Sequence, residues 1–166
     1  MKITLLTVGK TTDSRLEALI DEYRERLKHY IPFDFKVVAL SKSQQSASLS
    51  VERQKQLEGE LILAACNLSP LANNHSPLTL ILLDEHGKEF RSIEFADYLQ
   101  KRMSAGKDLV FVVGGPYGFS KDVYDRADGL ISLSKMTFSH QMIRLLFTEQ
   151  LYRAMTILRN EPYHHE

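Results

Sequence analysis

Leu78-Thr79-Leu80-Ile81-Leu82-Leu83 is an almost unbroken apolar run of strand length, and Leu109-Val110-Phe111-Val112-Val113 is a second. Such runs suit strands covered on both faces, as in a parallel sheet packed between helices. Between them Phe95, Ala96, Leu99 and Met103 recur at helical spacing, and Gly106 closes that helix. The alternation continues toward the N-terminus. Residues 3–8 (ITLLTV) are β-prone and end at Gly9, and Leu16, Leu19, Ile20, Tyr23 and Leu27 then mark an amphipathic helix. Residues 33–40 read as a strand with Phe33, Phe35 and Val37 on one face, and residues 51–67 as a helix with Leu57, Leu61, Ala64 and Ala65 inward. Toward the C-terminus, a short helix near residues 121–127 leads to the strand-like Leu130-Ile131-Ser132-Leu133-Ser134. The longest helical pattern then begins near Ser139, with a stripe of Ile143, Phe147, Leu151, Ala154 and Leu158. Residues 41–50 and 68–77 read as loops. Strands alternating with helices predict an α/β domain with a largely parallel sheet.

The chain has 166 residues, which at roughly 150 residues per domain is one domain, spanning 1–166, large enough for a real core. One cysteine, Cys66, closes no internal disulfide and reads as a small core hydrophobe, so a reducing, cytoplasmic setting fits. No stretch approaches the roughly 20 apolar residues of a membrane span, and no membrane partner is expected. Basic and acidic side chains balance at 21 each. Taken alone that balance argues against nucleic acid, whose phosphates usually select a basic surplus, although distribution along the chain matters more than the total.

In parallel α/β sheets ligands bind beyond the carboxyl ends of the strands. Three segments fall there: Leu83-Asp84-Glu85-His86-Gly87-Lys88, Gly114-Gly115-Pro116-Tyr117-Gly118 and Leu133-Ser134-Lys135-Met136-Thr137-Phe138. All three are expected on one edge of the sheet. Glycines let backbone N–H groups approach a ligand without an intervening Cβ. The spacing is neither the dinucleotide fingerprint nor a phosphate loop, which disfavours a Rossmann-type enzyme. On the last helix Arg144, Thr148 and Tyr152 share a face, His140 lies one turn earlier, and Glu149 with Arg153 forms a neighbouring pair. The end of the chain adds Tyr163, His164 and His165. The two adjacent histidines diverge and have no partner at ligand spacing, so no metal site is expected. His29 and His75 read as surface residues.

These motifs, with Val8-Gly9-Lys10, His140-Gln141, Glu149-Gln150-Leu151-Tyr152-Arg153-Ala154 and Pro162-Tyr163-His164, resemble the RlmH family of SPOUT-class methyltransferases along the whole chain. The resemblance implies a single SPOUT domain whose C-terminal part, roughly 78–166, forms a trefoil knot, and a homodimer whose sites borrow residues from the partner. It implies S-adenosylmethionine as methyl donor, no metal, and methylation of N3 of a pseudouridine in helix 69 of bacterial 23S rRNA within the 70S ribosome. Carried over by position, it sets the donor against Leu83, Gly114 and Gly115 and along Leu133, Ser134, Lys135, Met136, Thr137 and Phe138. Arg144, Tyr152, Arg153 and His164 are the catalytic candidates; His140, Tyr163 and His165 are candidates for binding substrate. The family's frequent penultimate arginine is here His165. Another RNA such as tRNA, or a non-catalytic ribosome-binding module, are the alternative readings.

Overall fold

A computed structural model describes residues 1–44, 49–67 and 78–165. The expected loop at 68–77, with His75, lies outside the described residues, as does part of the loop at 41–50. Among the described residues five parallel strands are interleaved with five helices: β1 (Ile3–Val8), α1 (Ser14–Leu27), β2 (Phe33–Val38), α2 (Val51–Ala65), β3 (Leu78–Glu89), α3 (Ser92–Ser104), β4 (Asp108–Val113), α4 (Lys121–Arg126), β5 (Gly129–Ser132) and α5 (Met142–Leu158). The sheet order is β2-β1-β4-β3-β5. β4, made after β3, inserts between β3 and β1, which puts the carboxyl ends of the three central strands side by side.

The two apolar runs that predict the sheet are its middle. Leu80, Ile81, Leu82, Leu109, Phe111 and Val112 are fully buried. Burying each such side chain contributes about 1.5–3 kcal/mol, and alternate residues feed two separate cores. One holds Ile81, Phe111, Phe95 and Phe147 beneath α3 and α5; the other holds Leu80, Leu82, Ile62 and Val123 beneath α2 and α4. Cys66 is buried in the second core, as expected. α5 packs against both α1 and α3.

Four expectations are corrected. β3 does not end at Leu83: it continues to Glu89, with residues 84–87 looped out so that Leu83 and Lys88 both face Ile131 of β5. Gly87 is the last of the looped-out residues. It passes so close to β5 that a Cβ there would lie 2.5 Å from the Ile131 backbone. The inward face of α2 is Leu57, Glu58, Gly59, Ile62 and Leu63, whereas Ala64 is exposed and Leu61 and Ala65 are half-buried. Leu19 and Val37 are exposed, because α1 meets its neighbours only along one narrow stripe and β2 is an edge strand. The last helix begins at Met142, a few residues after Ser139, although the Ser139 hydroxyl and carbonyl receive the first N–H groups, from Met142 and Ile143.

Candidate active site

Beside the looped-out part of β3 and beyond the carboxyl ends of β4 and β5 lies a cavity of about 510 Å³. Its walls are residues 83–86, 113–119, 131–134 and 136–140, with Tyr124 from α4 and Ile143 from α5. The three segments expected on one sheet edge thus converge in one concavity. Leu83, Gly114, Gly115, Leu133, Ser134, Met136, Thr137 and Phe138 all line it, as does His140; Lys135 lies in the same loop but outside the wall. Its volume falls within the range of small-molecule sites.

Local chemistry shapes each wall. Of the three glycines after β4 only Gly118 takes a positive φ, 80°, and its N–H bonds the Gly115 carbonyl at 3.2 Å to close a tight turn. In the loop after β5, Ser132 Oγ donates to the Ser134 carbonyl at 2.7 Å, and Met136 N–H donates to Ser134 Oγ at 2.9 Å. Short polar side chains bonding nearby backbone are what hold such a loop out of helix or strand. Thr137 Oγ1 then reaches Glu85 at 3.1 Å and joins this loop to the looped-out part of β3. Met136 is 76% exposed at the rim.

Asp84, unassigned by the sequence reading, organises one side. Tyr124 Oη donates to its Oδ2 at 2.5 Å, and the His86 N–H and ring nitrogen approach its Oδ1 at 2.9 and 3.0 Å. Burial pushes this carboxyl up, but the bonds from Tyr124 and His86 outweigh it and hold Asp84 below the usual carboxylate range. The signal for Asp84 was available, since it directly follows a buried apolar run. Tyr124 carried none, because α4 is too short for its pattern to point anywhere.

The first turn of α5 is clamped onto the segment after β1. Arg144 is fully buried. Its Nε donates to the His140 carbonyl at 2.9 Å, Nη1 to Thr11 Oγ1 at 3.1 Å and Nη2 to the Val8 carbonyl at 2.9 Å. Gln141 adds bonds to the Lys10 carbonyl and from Thr12 N–H. Desolvation lowers the Arg144 guanidinium to about 10, still charged at neutral pH. Its polar face is therefore directed inward: Thr148, one turn on, is equally buried and donates to the Arg144 carbonyl. His140, in the cavity wall, is held below its ordinary value by burial and by Arg144.

A second group assembles at the other end of α5. Arg153 pairs with Glu149 at 2.6 Å, both side chains three-quarters or more buried, and its guanidinium lies 4.6 Å over the Tyr163 ring. Tyr163 Oη donates to Glu149 at 3.2 Å, and Arg153 Nη1 stands 3.5 Å from His164 Nδ1. Tyr152 packs edge-on against Tyr163 and Tyr30, and Tyr30 Oη bonds Glu161. The tail is thus docked on α5 rather than frayed. Tyr152, Arg153, Tyr163 and His164 come together here; His165 is exposed beside them. None of these five lines the cavity of this chain, and neither does Arg144.

Comparison with known proteins places the chain in a family. A family model described as predicted SPOUT methyltransferase matches residues 1–164. Proteins named ribosomal RNA large subunit methyltransferase H are similar from end to end. The one from Christiangramia forsetii is 55% identical over 99% of both chains. Those from Phocaeicola vulgatus and Parabacteroides distasonis are 54% and 56% identical over the full length of both.

Proposed function

The chain belongs to the SPOUT methyltransferases, and within them to the RlmH family; on that premise we propose that it methylates N3 of a pseudouridine in helix 69 of bacterial 23S rRNA, on the assembled ribosome, with S-adenosylmethionine as donor. The observation that carries the reading is the convergence of three sequence-distant segments, from β3, after β4 and after β5, on one cavity. Its residues fit this donor. The volume suits a nucleoside-sized molecule, the loops offer backbone groups for an adenine and an amino-acid end, and the acidic groups around it, Asp84 and Glu85, suit a cation.

When bound, S-adenosylmethionine brings a methyl group on a sulfonium that is already a good leaving group. The chain's part is then to place the nucleophile and favour its deprotonated form. Residues 83–86, 114–118 and 133–138 hold the donor and exclude water, and holding both reactants in line can contribute several kcal/mol. Arg153 and His164, backed by Tyr152 and Tyr163, meet the target base, where a cation near the imide oxygens stabilises the developing anion at N3. His140, kept neutral in the cavity wall, offers an imidazole acceptor on the same side. Arg144 serves from inside by fixing the start of α5 to the segment after β1, so that His140 keeps its place.

The cavity and the tail group occupy different ends of α5, which supports a homodimer in which the tail of one subunit completes the cavity of the other. We assign residues 78–166 to the knotted portion on the same family premise. The reading is tested by incubating the protein with ribosomes lacking the modification and labelled donor, then mapping the methylated nucleotide. Label at N3 of a helix 69 pseudouridine is the expected result; label confined to tRNA would replace the substrate.

A further inference from the structure

Helix α2 carries a charge that its surroundings do not explain. Glu58 is only 4% exposed. One carboxylate oxygen, Oε1, accepts from Gln54 Nε2 at 2.9 Å, while Oε2 is buried without a hydrogen-bond partner among the described residues. An unpaired buried carboxylate is costly, and burial pushes this one above its ordinary value. A glutamine at this position would keep the Gln54 contact without the charge, so stability gives no reason for a glutamate.

What Glu58 touches supplies the reason. A Cβ on Gly115 would lie 2.9 Å from the Glu58 carboxyl carbon, so the carboxylate stands directly against that glycine's backbone. The other side of the same residue lines the cavity. The adjacent Gly59 allows the approach: a Cβ there would run into Ser120 and lie 3.1 Å from Val123. Two consecutive residues of α2, one without a side chain and one with a carboxylate, thus bring a negative charge to the back of the wall after β4.

We propose that Glu58 is a specificity-determining residue of the donor site, its carboxylate behind Gly115 favouring a sulfonium cation over the neutral thioether left after methyl transfer. This rests on the reading of the cavity as the S-adenosylmethionine site. Charges of opposite sign separated by a thin, poorly hydrated wall attract strongly. Transfer removes the positive charge from sulfur as the S–CH3 bond breaks, so the attraction vanishes with the reaction and the product is held less tightly than the donor.

Calorimetric titration of the full chain with S-adenosylmethionine and with S-adenosylhomocysteine tests this in the wild type and in Glu58→Gln. The expected result is that the preference for the cation, the ratio of the two Kd values, falls about tenfold in Glu58→Gln, chiefly through weaker donor binding. Glu58→Asp, which draws the same charge back by one methylene, gives an intermediate ratio and serves should the glutamine variant not fold. An unchanged ratio in variants that bind both ligands overturns the assignment of Glu58 alone. A wild-type protein that binds neither ligand overturns the donor-site reading itself, and this inference with it.

Discussion

Arg144 combines a full positive charge with complete burial, and its three bonds all run to groups of the chain's own backbone or to Thr11. Removing one side of such an arrangement strands buried carbonyls and leaves a void. Arg144→Ala is therefore expected to destabilise the fold by about 3–5 kcal/mol, read as a shift of the urea midpoint at unchanged slope. Wild-type stability for Arg144→Ala would deny it the clamping role. His140 follows a different rule. Burial and the nearby Arg144 hold its folded-state value below the ordinary 6.5, so the unfolded chain takes up this proton first. Stability is then expected to fall as pH drops below about 6.5, with no contribution above that; in His140→Gln this part of the pH dependence disappears, as denaturation at a series of pH values would show. The spacing of His140, Arg144 and Thr148 was legible in the sequence. Its direction was not, because a polar row on a helix marks a wet face or a buried network equally well until the partners, here Val8 and Thr11, are known.

At the scale of elements, the looped-out part of β3 does most to build the cavity, and the sequence hid it. Asp84, Glu85 and His86 look like the polar end of a strand, whereas the chain leaves the ladder for four residues and rejoins it at Lys88, opposite the same Ile131. Only pairing with β5, far away in sequence, makes that possible. Gly87 is the residue that allows the return, so Gly87→Ala must push β3 and β5 apart. Overpacking of this kind costs about 1–3 kcal/mol; the expected outcome is a lower thermal midpoint together with weaker binding of S-adenosylmethionine, since Asp84 and Leu83 share the displaced wall. A midpoint equal to that of the wild type would mean that the strands part without cost. α2 was misread for a related reason. Its true inward face includes Glu58 and Gly59, residues that no hydrophobic stripe would select, and the alanines at 64 and 65 offered a false one. By contrast β4, α3 and α5 were plain to read, because their apolar residues follow one period without interruption.

For the whole molecule, the balanced charge count proved a poor guide, because what matters is placement. The Arg153 guanidinium and the His164 imidazole gather at one end of α5, while acidic groups flank the cavity. The cavity and the tail group thus stand apart within one chain, and in the proposed two-fold dimer the tail group of one subunit meets the cavity of the other. Mixed dimers separate this arrangement from one in which each chain works alone. Ser134→Arg fills the cavity with a like charge to that of the donor, and His164→Ala removes a tail group; each homodimer should lose at least about a hundredfold in kcat. After subunit exchange, half the dimers carry one copy of each variant. In these, one site joins both altered parts and the other joins both intact ones, so activity should recover to about a quarter of wild type. Sites built within single chains would stay defective in every combination, and methyl transfer to ribosomes by the exchanged mixture would remain at the level of the separate variants.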